Sequence, residues 1–563
     1  MSNPLPKVDV LIVGLGAAGG IAAHVLTQAG INVVGLEAGP RLDHADFLAN
    51  DDEIAGSIRN WTGAPKFNNE IPTWRPDAAS PKAPAPIPAV RMANMVGGTS
   101  VHYGTQQWRF RADDFTIRTD TVAKYGEEAM PSGSTMADWP VTYDDLEPYY
   151  DNVEYLIGVS GEAGANPFES PRKRGYPMPP LRQFGYGEMA AEAMGNLGYN
   201  PFPQPAAINS EEYDGRPACS YCGFCGNFGC WNDSKSSTLV SAIRHAEETG
   251  KLEIRPNSRV MKILSSDDGK VTGVEYLDEN GDLQEQPAGI VILGTYVYEN
   301  VRLLLLSSSD AYPDGLGNNN GQVGKHYMSH IYVGSQGLFP GKKLNMFSGT
   351  TGQATAMDDL NGDNFDHTGL GFIRGAVIFA SNGSLPIGNS RNLAPGVPQW
   401  GSEYKKWIHE NGDSTGSVFA QLEPQPYEAN FLDLDPDVKD PLGMPVLRTT
   451  YNLYENELKA QQYISGKLDE ILMEMGASVT WPGYPAGVPM PVNSHAYGGT
   501  RMGDDPETSV VDKHGLSHEA GNLCVLGGST FPGSSGYNPT NTIEAHAWFA
   551  ADYIAKNLKD IAV

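Results

Sequence analysis

The stretch Val8–Pro40, VDVLIVGLGAAGGIAAHVLTQAGINVVGLEAGP, decides how the whole chain is read. Val8 to Val13 is short and almost wholly apolar, as a parallel strand buried on both faces requires. Gly14, Gly16 and Gly19 follow as G-x-G-x-x-G. Ala17 to Ala29 is Ala-rich and suits a helix, and Gly30 is a good stop for it. Asn32 to Leu36 reads as a second strand that ends at Glu37. In such a unit the first glycine permits a tight turn. The second lets a pyrophosphate approach the backbone, and the third lets helix and strand pack closely. The helix N-terminus offers N–H groups and a partial positive charge to the phosphates. Glu37 lies about 20 residues beyond the glycines, where a carboxylate accepts hydrogen bonds from a ribose. The glycine spacing alone is weak evidence. Strand, turn, helix, strand and acid in that order predict a bound dinucleotide, because an Ala/Gly-rich helix packed on a sheet without a ligand leaves Glu37 unexplained. Either FAD or NAD fits these residues alone.

Composition bounds the rest. The 563 residues are 40% hydrophobic and 19% charged, enough for two or more domains with their own cores. With 65 Gly and 41 Pro at ordinary hydrophobicity, many loops wrap a cofactor and disorder is not implied. A net charge of −28 argues against nucleic acid or an anionic membrane as partner. No apolar run reaches the roughly 18 residues of a membrane span, so no direct membrane insertion is expected. The opening MSNPLPK is too short and polar for a signal peptide and lacks twin arginines. The expected location is cytoplasmic, with the periplasmic face open to a chain carried across by a partner subunit.

Outward from the first unit, Arg91–Phe110 reads RMANMVGGTSVHYGTQQWRF. Gly97-Gly98 brings backbone N–H groups against a phosphate or a flavin edge. Ser100 and His102 stand just beyond, and His102 also reads as a packing histidine. Ala137–Tyr150 predicts a turn and a helix capped by Asp144 or Thr142, with Tyr149 and Tyr150 in the core. Glu253–Tyr276 predicts two strands around Asp267-Asp268-Gly269, and Gly289–Gly294 another buried parallel strand with a helix, Val297–Ser307, behind it. Gly334–Leu385 and Gly416–Leu434 predict a separate, mostly antiparallel sheet. Asn456–Met475 is an amphipathic helix with Leu458, Tyr463, Ile464, Leu468, Ile471 and Leu472 on its apolar side. A strand at Leu523–Leu526 and a helix at Thr542–Lys556 end the chain.

Three separated segments now agree: the N-terminal glycines, Val96-Gly97-Gly98-Thr99-Ser100, and Asn522–Ser529 with Gly536-Tyr537-Asn538-Pro539-Thr540. With His495-x-x-Gly-Gly-Thr-Arg-Met-Gly503 they resemble the glucose-methanol-choline (GMC) oxidoreductases over nearly the whole chain. Val101-His102-Tyr103 to Trp108-Arg109, and Gly215-Arg216-Pro217 before a cysteine cluster, resemble the membrane-linked bacterial dehydrogenases for gluconate, fructose and glucose. The Glu-Ala-Gly-Pro after the second strand is similar to flavoproteins. The resemblance implies an α/β FAD-binding Rossmann-like domain (1–45, 85–115, 200–330 and 490–563) and a second α+β substrate domain on a mostly antiparallel sheet (116–199 and 331–489). Residues 46–84, polar and Pro-rich, are expected to form a lid or subunit contact. FAD is expected against Gly14, Gly16, Gly19, Glu37, Gly97, Gly98, Ser100, His102, Gly528, Asn538 and Pro539. Distant relatives bond flavin to a histidine at the place of His102, and that bond is not expected here. Gly294-Thr295-Tyr296 departs from the Ala-Gly-Ala-like turn that the family often carries.

The resemblance also implies a catalytic pair, His495 and Asn538. Oxidising an alcohol removes a hydroxyl proton while hydride leaves carbon for flavin N5. An imidazole with a pKa of about 6.5 suits the base, and an amide orients the substrate oxygen without competing for the proton. Tyr537, Glu423 and Tyr327 are candidates near the ring, and Arg501 is either a substrate cation or structural.

Four of the five cysteines, Cys219, Cys222, Cys225 and Cys230, fall within twelve residues as C-x2-C-x2-C-x4-C. Four soft donors on one loop point to an iron–sulfur cluster, with three or four irons; a zinc site and two disulfides are the rivals. Such a cluster passes a reduced flavin's two electrons on singly. Cys524, on a buried strand, reads as a core thiol. The expected activity is oxidation of a sugar or sugar-acid CH–OH, first D-gluconate to 2-ketogluconate, with a small accessory subunit and a cytochrome c as partners. A glycoside or pyranose 3-dehydrogenase or oxidase, and a non-catalytic flavin/cluster electron carrier, are the alternatives.

Overall fold

The structure, a computed structural model, describes residues 5–47, 53, 71–84, 92–381, 385–491 and 493–562. Most of the expected lid or subunit contact, and residues 85–91 after it, lie outside these. β1 (Val8–Val13) carries VLIV at its end, with no polar side to turn to water, and those four residues are buried. It pairs in parallel with β2 (Val33–Leu36) on one side and with Leu283–Leu293 on the other. Leu252–Arg255 extends the sheet beyond β2, and Leu523–Val525 extends it beyond Leu283–Leu293, both in parallel.

Leu283–Leu293 serves two structures. Its second half, from Ala288, lies between β1 and Leu523–Val525. Its first half pairs antiparallel with Val271–Leu277, which pairs with Arg259–Ser265. The region read as two strands therefore holds three, because the chain breaks at Pro256-Asn257 before the expected turn at Asp267–Gly269. Behind the parallel sheet, α1 (Ala17–Gln28) and the last helix, Thr540–Ile561, share one core. Ala22, Ala23 and Leu26 meet Ala547, Ala550 and Ala551 there, small side chains that let the two helices approach.

The second sheet runs in the order Val479–Tyr484, Ile331–Leu338, Thr415–Leu422, Ala376–Ala380, Thr355–Met357, Phe202–Pro203, every pairing antiparallel. The helix Glu455–Glu474 backs it with Ile464, Leu468, Ile471 and Leu472 fully buried, while Leu458, expected on that face, is 41% exposed. Tyr143–Ile157 opens with a reciprocal cap between Thr142 and Asp145, so Thr142 and not Asp144 starts it. Both expected layers, the nucleotide-binding α/β sheet and the antiparallel sheet, are present. No described helix is long and apolar enough to cross a membrane.

Candidate active site

A cavity of about 400 Å³ runs from the start of α1 to the last turn before the final helix. Its nucleotide end is built from backbone. Gly14, at φ +86°, makes the turn out of β1, and its N–H donates to the Leu36 carbonyl at 2.8 Å. A Cβ on Gly19 would stand 1.9 Å from the Gly14 carbonyl oxygen, so only glycine lets helix and strand close there. A Cβ on Gly98 would stand 2.8 Å from Gly16 Cα, so the two glycine loops touch face to face. The Gly97 N–H donates to the Leu15 carbonyl at 2.8 Å and fixes that contact. No side chain caps α1, which leaves its first-turn N–H groups for an anion.

Glu37 has two tasks. Its carboxylate accepts the Leu15 N–H and the Gly39 N–H, each at 3.0 Å, so it pins the glycine loop. Each oxygen has a second lone pair, and Glu37 lines the cavity where a ribose would bond to it. Of the expected contacts, Gly14, Gly16, Glu37, Gly98, Ser100, His102, Gly528, Asn538 and Pro539 line the cavity. Gly19 and Gly97 shape it from behind. Ser100 Oγ is turned to the Gly97 carbonyl at 2.6 Å and supports the loop. A phosphate cradle at one end and a polar pocket at the other fit FAD.

The far end is built from side chains. Ala496–Tyr497 pairs with Met328–Ser329, and the His330 N–H donates to the His495 carbonyl at 3.0 Å. That backbone register sets the two imidazoles side by side, Nδ1 to Nδ1 at 3.0 Å. Tyr332 Oη lies 2.8 Å from the same His495 Nδ1. On the other side, Asn538 Nδ2 is 3.3 Å from His495 Nε2.

The orientation of Asn538 follows from its partners. Trp108 Nε1–H and Gln421 Nε2–H both reach the same amide atom, at 3.1 and 3.0 Å. An indole N–H only donates, so that atom is the oxygen, and the NH2 faces His495 and the cavity. That NH2 donates to His495 Nε2, so Nε2 holds the lone pair and Nδ1 holds the proton. His495 is half-buried in the cavity wall, and the desolvation it meets there lowers its pKa to about 4 and keeps it neutral at pH 7. The arrangement presents a lone pair at Nε2 to the cavity, with Nδ1–H facing His330 and Tyr332.

Comparison with known proteins places this geometry. Sequence profiles of GMC oxidoreductases match residues 132–332 and 426–547. The chain is 32% identical to the gluconate 2-dehydrogenase flavoprotein of Pantoea cypripedii, over 98% of this chain and 94% of that one. The chain belongs to the GMC oxidoreductase family. The fructose dehydrogenase large subunit of Gluconobacter japonicus is 29% identical over 99% of this chain and 100% of its own. A solved formate oxidase of Aspergillus oryzae, described for its FAD modification, superposes with a TM-score of 0.64 at 16% identity, over 100% of both chains. This GMC oxidoreductase is a flavoenzyme acting on CH–OH donors.

Several expectations about its pocket need correction. Tyr537 lies beneath Asn538, stacked on Trp108 at 4.8 Å with its hydroxyl on Asp358, and does not line the cavity. Glu423 is held by Arg374 and Arg111. Tyr327 Oη bonds to Tyr298 and to the Pro491 carbonyl. Each of these side chains has a buried partner of its own. Arg501 donates to the Thr508 and Thr135 carbonyls and is structural. Gln106, Asn227, Thr351 and Tyr296, none of them expected, line the catalytic end. Three of them stand inside stretches the sequence singles out, Gln106 after the second glycine loop, Asn227 within the cysteine spacing and Tyr296 in the turn after Gly294, but no residue type there marks a lining role.

The cysteine loop abuts this cavity: Gly226 and Asn227 line it, and the Asn227 N–H donates to the His102 carbonyl at 2.8 Å. All five cysteines are free thiols. The four sulfurs are not gathered round one point, and no three His, Cys, Asp or Glu side chains among the described residues are spaced to hold a metal ion. Local partners turn them apart. Cys225 Sγ meets Thr350 Oγ1 at 2.9 Å, Cys230 Sγ meets Asn232 Oδ1 at 3.1 Å, and Cys222 is exposed. The expectation of a ready-made four-sulfur shell is not met. The donor set still suits soft-metal chemistry: four unpaired thiols on one loop against the cavity wall. Cys524 is fully buried, a core thiol as expected.

Proposed function

We propose that this flavoprotein oxidises a CH–OH group of a sugar or sugar acid, D-gluconate to 2-ketogluconate first. The pairing of His495 and Asn538 at the cavity's end, with the amide turned by Trp108 and Gln421, carries the reading. His495 Nε2 takes the hydroxyl proton. The positive charge it gains is spread toward His330 Nδ1 and the Tyr332 oxygen through the Nδ1–H. The Asn538 NH2 holds the substrate oxygen, which fixes the reacting carbon in place. FAD, held by Glu37, Gly14, Gly16 and Gly98, supplies the hydride acceptor when bound. An iron–sulfur cluster on Cys219, Cys222, Cys225 and Cys230 would supply one-electron transfer to a cytochrome. The likeness to a protein named as a large subunit favours accessory partners.

One observation favours a neutral substrate instead, such as a glycoside. The charged residues described along the cavity are Glu37, Arg259 and Glu299, and Ser258, beside Arg259, bonds to the Glu37 carbonyl at the nucleotide end. No lysine or arginine is described among the lining residues at the His495 end to meet a carboxylate.

Anaerobic titration with gluconate, fructose, glucose and glucosides, following flavin bleaching and an iron–sulfur EPR signal together, tests both. Bleaching by gluconate alone supports the first reading, and bleaching by neutral sugars alone supports the second. A flavin that no polyol bleaches ends both and leaves an electron carrier. Peroxide released in air identifies an oxidase.

A further inference from the structure

Thr105 is fully buried at φ +69°, a left-handed backbone that a β-branched residue rarely adopts. Such an outlier persists only where its surroundings hold it. Here the Thr105 carbonyl accepts the Ala207 N–H at 2.9 Å, and the Gln107 N–H donates to the Pro205 carbonyl at 3.2 Å. The Gly104 carbonyl accepts the hydroxyls of Thr105 and Thr351, at 2.6 and 3.1 Å. This held turn aims the next three side chains. Gln107 Nε2 donates to the buried Glu544 carboxyl, and Trp108 Nε1 donates to Asn538 Oδ1. Gln106, paired antiparallel with Ala206, is two residues before Trp108, so its side chain leaves the chain on the side of Asn538.

Gln106 alone of the three has no partner. Its amide is half-buried in the cavity wall and makes no hydrogen bond among the described residues. Its place is built in. A Cβ on Gly104 would stand 2.5 Å from Gln106 Oε1, so a side chain at 104 would push the amide away. An amide carries an acceptor oxygen beside N–H donors, which complements a hydroxyl, itself donor and acceptor. His495 and Asn538 are committed to the hydroxyl that is oxidised, and a sugar brings others.

We propose that Gln106 is a specificity-determining residue: its amide hydrogen-bonds a second hydroxyl of the substrate, one that is not oxidised, and so selects a polyol. This rests on the sugar-oxidising reading above.

The test crosses Gln106→Leu with loss of that hydroxyl. The probes are whichever of gluconate, fructose, glucose and methyl glucoside bleaches wild-type flavin fastest, and the monodeoxy forms of that compound. FAD per chain, flavin midpoint potential, kcat and KM are read. Gln106→Leu should keep its FAD and the wild-type potential. Its kcat/KM for the parent sugar should fall roughly tenfold, the scale of one uncharged hydrogen bond. The loss should lie chiefly in KM, because a contact remote from the reacting carbon is made before and during the reaction alike. One monodeoxy sugar should show the same loss with wild type and no further loss with Gln106→Leu, the mark of two groups that meet. An unchanged KM overturns the proposal. So does an equal further loss on every monodeoxy sugar, which would mean that leucine only disturbs the wall. A shifted potential with KM unchanged overturns it too and assigns the amide to the flavin. If Gln106→Leu does not retain FAD, the unbranched Gln106→Met makes the same comparison. A wild type that no polyol bleaches removes the sugar reading and this one with it, whereas a sugar that bleaches without coupling to Gln106 removes this one only.

Discussion

At the nucleotide end of the cavity the wall is backbone: Gly14 and Gly16 on one loop, Gly98 on another, and one carboxylate that ties the first loop down. At the other end it is the side chains of His495 and Asn538, held from behind by those of residues 108, 330, 332 and 421. The first end has little spare volume, since a carbon added at Gly14 or Gly98 strikes main chain at 2.9 or 2.8 Å. The second end is held by single hydrogen bonds, each of which can be removed without moving the backbone. Substitution should therefore abolish the cofactor at one end and only slow the reaction at the other.

Gly19→Val is the most severe way to probe that contrast. Its Cβ would overlap the Gly14 carbonyl oxygen, so the turn must open. Purified protein should carry no FAD, read from its visible spectrum. A yellow Gly19→Val protein with normal affinity would sink the account of the cradle. His495→Ala should do the opposite: FAD stays bound and kcat falls by about 10²–10⁴, the range for removing a general base. Loss of FAD in this variant would mean that the two ends are not separable.

Trp108→Phe sharpens the contrast within the catalytic end. Phenylalanine keeps a ring to stack on Tyr537 and removes only the N–H that holds the Asn538 oxygen. Gln421 alone then orients the amide, and kcat should fall by about ten- to a hundredfold, the cost of a small misplacement. KM should change much less. Removing both donors should cost more than either alone, since they hold one atom.

The same contrast explains what could be read from residue order. Gly14, Gly16, Gly19 and Glu37 are legible because a backbone cradle must be continuous in sequence. His495 and Asn538 are legible only through likeness to relatives. Trp108 and Gln421 reach Asn538 from another segment and from the antiparallel sheet, and His330 reaches His495 through a two-residue strand pairing. No spacing encodes such contacts. The long strand Leu283–Leu293 is legible only from Gly289 onward for a similar reason: its first half is only partly buried and reads as polar until its hairpin partner is known. Cysteine spacing was plain, yet spacing did not fix where the sulfurs point, because Thr350 and Asn232 compete for them.

The smallest effect concerns pH, and it separates the base from the fold. His495 is lowered from 6.5 to about 4 by burial, so its stabilising contribution is full above pH 6.5 and is lost as pH falls through about 4. Glu544, bonded to Gln107 at 2.6 Å, is raised from 4.5 to about 8 by burial. Its contribution is full below pH 4.5 and is lost as pH rises through about 8. From these two groups the melting temperature should be highest between about pH 4.5 and 6.5, where the two effects offset, and fall below and above that window. Glu544→Gln cannot ionise, so it should remove the fall above pH 6.5, by a few degrees, and leave the loss below about pH 4.5 alone. Activity should not follow that alkaline arm, because His495 is already neutral there. The acid limb of kcat/KM, measured in short assays before unfolding, should lie near pH 4 in both proteins. A limb centred at 6.5 would mean that water reaches His495 Nε2 in the working enzyme, and the base would then lack the buried setting that His330 and Tyr332 complete.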